Sequence, residues 1–170
     1  MARCSCGDHS VHEHDLDVAF TLPEVVWHLS PEQRRKRALY DTSVCVLDDE
    51  RFFIRGIAYV PVRGSQRGRF GWGLWIEVSE PCYERYRQML LMDKDSDPPI
   101  EGNIANSIRG YGWLIGQRAR LVFHGASIRP SLVLLPARTR LYFEQRDGVD
   151  WQEFRRTLVE LGVLELRGAH

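Results

Sequence analysis

The sequence predicts an α+β fold: a single domain on a mainly antiparallel β-sheet, with about three flanking helices and a Cys/His-rich N-terminal arm. Three observations predict it. Two aromatic runs, residues 51–62 and 70–78, are separated by a polar, glycine-punctuated turn from Arg63 to Arg69, the pattern of a β-hairpin. Strand-like runs outnumber helical ones and do not alternate regularly with them, which disfavours a parallel βαβ architecture. The length, 170 residues, is that of about one domain, enough to bury a core without staples.

The elements follow in order. Residues 1–22 are polar and rich in His and Asp, an arm ahead of a domain spanning 23–170. Ser30-Pro31-Glu32-Gln33 opens a helix, with Ser30 as N-cap, Pro31 in the first turn and Gln33 closing a capping box. This helix is expected to reach about Leu39. A short strand follows at 43–47, and Asp48-Asp49-Glu50 turns into the hairpin. A second helix begins at Ser79 or Glu80 and runs to about Met92, with Tyr83, Tyr86 and Leu90 on one stripe. Residues 93–106 read as a loop, because Asp97-Pro98-Pro99 and Gly102 break regular structure. The glycine-rich stretch 110–115 is open between strand, turn and helix start. Strands are expected at 119–124, 131–135 and 141–144. Asp150 caps a last helix, with Glu153 at the capping-box position and Trp151, Phe154, Leu158 and Leu161 on its core stripe.

The formal charge is zero, with 23 basic and 23 acidic side chains. A nucleic-acid binder or an electrostatically held membrane protein would carry a basic excess, so neither partner is expected. No apolar run approaches the ~18 residues of a membrane span, and the first residues lack a secretion signal's apolar core. A cytoplasmic location is therefore expected, where the four cysteines would not form structural disulfides. Arginine outnumbers lysine 21 to two. Arginine forks suit carboxylates and phosphates, but scattered arginines also arise from codon usage alone.

The N-terminal Cys4, Cys6 and His9 offer thiolate and imidazole ligands, and Cys45 is the candidate fourth ligand of a structural zinc. Only one residue separates Cys4 from Cys6, where two are usual, and an incidental polar terminus is the competing reading. His124 ends a predicted strand and has the ordinary titration range of a general base, though strand-end histidines are commonly structural. There is no Gly-x-Ser-x-Gly elbow and no phosphate-cradling glycine loop, so a serine hydrolase and a P-loop enzyme are not expected. Cys45 and Cys82 are flanked by packing residues, as buried structural cysteines are. No residue is assigned a catalytic role.

Period-2 alternation puts Phe70, Trp72, Leu74 and Ile76 on one face of their strand and Gly71, Gly73, Trp75 and Glu77 on the other. The first face is core. Trp75, above two glycines, is either an exposed contact residue or part of a second core beneath the helices. Trp75, Trp113, Arg55, His124 and Arg129 are the candidate positions for binding a partner or ligand, since aromatics and arginines dominate interface hot spots. Arg55, Arg129 and Arg146 either pair with carboxylates such as Glu77, Glu144 and Asp147 or converge on an anion.

Several separated motifs in this order resemble the bacterial domain-of-unknown-function family numbered 2199. They are Cys4-Ser5-Cys6-Gly7-Asp8-His9, Cys45-Val46-Leu47-Asp48, Phe52-Phe53-Ile54-Arg55-Gly56, Pro61-Val62, Trp72-Gly73-Leu74-Trp75-Ile76, Gly112-Trp113-Leu114, His124, Arg129-Pro130 and Glu144-Gln145-Arg146-Asp147-Gly148-Val149. The family pattern opens with Cys-x-x-Cys-Gly-x-x-His, one residue longer between the cysteines than here. The resemblance implies no established activity. The expectation is a small non-catalytic protein-binding module, immunity-like or a regulatory partner. The alternative is a zinc-containing enzyme or small-ligand-binding protein with a site near His124, Arg129 and Trp113.

Overall fold

The long alternating run after the acidic turn forms one strand, β4 (Arg51–Arg63), on which the rest of the sheet is assembled. The structure is a computed structural model and describes residues 17–65, 68–92 and 98–163. The other strands are β1 (Val18–Ala19), β2 (Ala38–Tyr40), β3 (Val44–Leu47), β5 (Arg69–Val78), β6 (Ile100–Ile104), β7 (Arg118–Val122), β8 (Ser131–Leu134) and β9 (Val149–Asp150). The helices are α1 (Glu24–Trp27), α2 (Pro31–Arg37), α3 (Glu80–Met92), α4 (Arg140–Asp147) and α5 (Trp151–Glu160).

β4 and β5 form the expected antiparallel hairpin, with Phe52 opposite Val78 and Pro61 opposite Arg69. Across it the Arg69 guanidinium lies 4.1 Å above the Tyr59 ring, a cation–π contact that supports the register. β5 continues antiparallel to β6, β6 to β7 and β7 to β8, and β8 returns parallel to β4 at Ile57 and Ser131. The ladder therefore closes on itself as a five-stranded ring, β4-β5-β6-β7-β8. β3 and β2 extend it antiparallel beyond the other half of β4, and β1 lies parallel beside β5.

Closure explains the two-faced pattern of the hairpin. Ile54, Ala58, Val60, Phe70, Trp72, Leu74 and Ile76 point inward and join Ala119, Leu121, Leu132 and Leu134 in one core. Tyr83, Tyr86 and Met89 of α3, Leu141 of α4, and Phe154 and Leu158 of α5 complete it. Gly56 lets the two sides of the ring approach: a Cβ there would displace the tip of Leu121, on a strand that is not its neighbour, and stand 3.2 Å from Leu132 Cβ and the Pro130 carbonyl oxygen.

The α+β class and the hairpin stand as expected, as do the helices α2, α3 and α5. The Ser30 capping box is formed, and the Asp150 carboxylate accepts the Gln152 N–H. Four details differ. Residues 141–144 belong to helix α4, not to a strand. Leu141 and Glu144 are buried on one helical face, and Arg140 reaches Glu144 at i+4 with Nε to Oε1 at 2.5 Å. Strand β6 lies inside the expected loop: Gly102 is present because a Cβ there would strike the Glu77 carbonyl oxygen, so this glycine marks a close approach of two strands. The first long helix stops at Arg37, where the chain enters β2. Asp17–Leu22, expected in the arm, lie on the sheet: the Asp17 carboxylate accepts the Gly71 N–H at 2.8 Å, and Leu22 is buried.

Candidate functional site

The outer edge of β4 is shared by two strands that meet end to end. Arg55 N–H donates to the Ser43 carbonyl just before β3, and Ile57 N–H donates to the Pro130 carbonyl just before β8. A seam lies between them, and Arg55 is the residue of β4 that faces it. Its guanidinium sits 5.9 Å above the ring of Trp75, its cross-strand partner. From the other side Arg129, one residue before Pro130, reaches in. Arg129 Nη1 donates to the Thr42 carbonyl at 2.8 Å, and Arg55 Nη1 donates to the same oxygen at 3.3 Å. The Asp41 carboxylate holds this turn by accepting the Ser43 and Val44 N–H groups at 2.6 and 2.9 Å.

Two cations thus meet at one neutral acceptor. Among the described residues neither has a carboxylate partner, whereas Arg37 pairs with Asp48, Arg51 with Glu77, Arg118 and Arg120 with Glu101, Arg140 with Glu144 and Arg146 with Asp147. Arg55 Nε is buried with no acceptor. Burial, and then the positive charge of Arg129, lower the Arg55 pKa from its ordinary value, as desolvation and a like charge must. Of the two readings left open for Arg55, pairing with Glu77 does not occur, because Glu77 is taken at 2.7 Å by both ends of the Arg51 fork.

His124 lies on the same outer face. Its Nε2 is 2.8 Å from Ser131 Oγ, and Ser131 is the register partner of Ile57, two residues along β4 from Arg55. His124 and Thr42 are exposed. Three of the five expected binding residues, Arg55, Arg129 and His124, are therefore gathered along one seam.

Trp75 and Trp113 are not part of it. Of the two readings of Trp75 the second core holds, and its place among the binding positions is corrected: it is 0% exposed and packs with Leu22, Val26, Cys45, Phe53 and Ala105. Its indole Nε1 donates to the Phe20 carbonyl at 3.0 Å, and its backbone N–H donates to Asn106 Oδ1 at 2.9 Å. The cover comes from residues 17–27, part of which the sequence reading assigned to the arm. Trp113 is 79% exposed and borders a groove of about 600 Å³ with Ile115, Gln117, Arg118, Leu135 and Pro136. That groove is at the start of β7, whereas His124 lies beyond its end, so Trp113 does not share a site with His124 and Arg129.

Cys4, Cys6 and His9 lie outside the described residues, and among the described residues no group of three or more His, Cys, Asp or Glu side chains is arranged to hold a metal. Cys45 is fully buried in the second core, and burial pushes its thiol up to about 12. Metal binding needs the thiolate, so this environment works against the role of fourth ligand. Cys45→Ser should leave zinc content, measured by elemental analysis, as in the parent protein. It should also lower stability by about 1–3 kcal/mol in urea unfolding, the cost of a hydroxyl without a partner in an apolar pocket.

One constellation escaped the sequence reading. Trp72 Nε1, the Tyr111 hydroxyl and Glu144 Oε2 are buried polar atoms that gather in one corner of the main core, with the phenol interacting with both of the others but in no well-formed hydrogen bond. The Trp72 and Tyr111 rings meet edge-on at 5.5 Å. The Arg140 guanidinium stacks 4.5 Å from Tyr111, binds Glu144, and reaches Thr157 Oγ1 at 2.8 Å. Burial first, and then the Glu144 charge, push the Tyr111 phenol far above its ordinary range. The available signal was that three motifs, Trp72-Gly73, Tyr111-Gly112 and Glu144-Gln145, each carry one polar-tipped large side chain.

No helix among the described residues is long and apolar enough to cross a membrane. The family model for uncharacterised proteins conserved in bacteria, DUF2199, matches residues 3–149. No curated protein and no solved structure matches the chain.

Proposed function

The chain belongs to DUF2199, a family of uncharacterised bacterial proteins, and from that premise we propose that it is a non-catalytic protein-binding module, immunity-like or a regulatory partner, that works by contact. The observation behind this reading is Trp113. A tryptophan with 79% of its surface in water is costly to leave uncovered, and it is the residue type most enriched at interface hot spots. Its loop holds it out by design: Gly110, Gly112 and Gly116 take φ values of +78°, +72° and +83°, a region in which residues with a Cβ are strained. Beside it, Ile115, Leu135 and Pro136 offer an apolar groove for the neighbouring part of a partner. The other exposed aromatics, Trp27, Tyr40 and Phe143, belong to other elements.

The test compares the tagged protein with Trp113→Ala, each recovered from the bacterial host. The partner is identified from the recovered complex and the complex rebuilt from purified chains. Stoichiometric recovery with the parent protein, and at least ~30-fold weaker binding by Trp113→Ala, is the expected result; a hot-spot residue contributes about 2 kcal/mol or more. A parent protein that is always recovered alone would overturn the reading. A partner held equally well by both proteins would remove Trp113 from it.

A further inference from the structure

We propose that the seam between β3 and β8 is a phosphate-binding site in which Arg55 and Arg129 hold the phosphate group of a small molecule. Both Nη1 atoms donate to one carbonyl oxygen, so they stand within about 6 Å of each other, a gap that a single tetrahedral oxyanion spans. The carbonyl accepts one N–H from each arginine and neutralises neither charge. Every other arginine cluster described above is closed by a carboxylate, and this one is not.

Arg55 carries the argument furthest. It is partly withdrawn from water, a second cation stands beside it, and its Nε–H is buried without an acceptor. Such an arrangement is unfavourable by itself and becomes favourable when an anion shares the two forks. Two unpaired positive charges are matched by a group of charge near −2, as a phosphate monoester carries at neutral pH, better than by a single carboxylate. Thr42 is exposed, so the group enters from solvent, and His124 with Ser131 lies along the same face to meet the remainder of the molecule. The Trp75 ring and Gly73 support Arg55 from below; a Cβ at Gly73 would already stand 3.6 Å from Arg55 Nε. This site is independent of the Trp113 groove at the other end of β7, and either can fail without the other.

The test titrates the full chain with inorganic phosphate and with acetate, each against chloride at equal ionic strength, by isothermal calorimetry and thermal shift. The expected result is one phosphate bound per chain with a millimolar or tighter dissociation constant, and acetate at least tenfold weaker. Arg129→Gln, whose side chain reaches the exposed mouth of the seam, should weaken phosphate at least tenfold. Arg129→Lys keeps the charge but loses the fork and should weaken it less, and it serves alone if the glutamine variant does not fold. Phosphate indistinguishable from chloride overturns the site. So does equal binding of phosphate by the parent and both variants, and so does acetate binding as tightly as phosphate.

Discussion

Trp75→Ala is expected to lower the melting temperature by roughly 10 °C or more, the largest effect of any single aromatic truncation on the outer face of the hairpin. The side chain is wholly buried in the second core and its indole N–H ties Phe20 to the sheet, while the backbone N–H that donates to Asn106 Oδ1 remains in the alanine variant. Truncating a buried Trp or Phe costs about 3–5 kcal/mol, and in a chain of this size each kilocalorie moves the midpoint by about 2–4 °C. Asn106 also donates to the Leu22 carbonyl at 2.9 Å, so loosening Trp75 loosens residues 17–27 with it. Calorimetry measures the shift. Trp113→Ala is the internal control: its side chain is in water, and the change should stay within about 0.5 kcal/mol. Equal midpoints for the two variants would contradict the placement of both residues.

Glu144→Ala is expected to cost about 3 kcal/mol in urea unfolding at constant slope. Glu144 is the carboxylate in direct contact with Arg140, with Glu153 acting on it only through its charge, and the loss of Glu144 leaves a half-buried guanidinium against the Tyr111 ring without its ion-pair partner. Removing one partner of a buried pair is costly because the other charge stays behind. Glu144→Gln keeps the volume and should cost less. It should also lower the Tyr111 phenol pKa relative to the parent, since the Glu144 charge is the second cause, after burial, of its elevation. Ultraviolet titration reads that shift. A Tyr111 titration unchanged in the glutamine variant would separate the two residues.

The hairpin, the caps of α2 and α5 and the stripe of α3 were legible in the sequence because each is a local pattern. Ser30 and Gln33 are three residues apart, and Tyr83 and Tyr86 are one turn apart. What was not legible depends on distant chain. Trp75 stayed open between contact residue and second core because its cover, Phe20, Leu22 and Val26, comes from a segment without strong periodicity. Gly102 looked like a loop breaker because the backbone it must clear, at Glu77, lies 25 positions earlier. Leu141 to Glu144 looked like a strand because a single turn of helix with one buried face carries no more apolar residues than a short strand does. Of the candidate site, Arg55, Arg129 and His124 were named from their motifs, but the shared acceptor was out of reach: it is the Thr42 backbone carbonyl, and main-chain atoms leave no residue-type signal.

The ring of strands has a consequence for how the chain is made. β4 is among the first long strands to leave the ribosome, yet its partner β8 begins at Ser131, 74 positions after the Ile57 it must meet. Until that point the part of β4 beyond β3 travels without the strand that will lie beside it, and pairings over such sequence distances form slowly. A nascent chain halted near residue 125 therefore presents an open, aromatic strand border to its surroundings, the kind that sticks to its own copies.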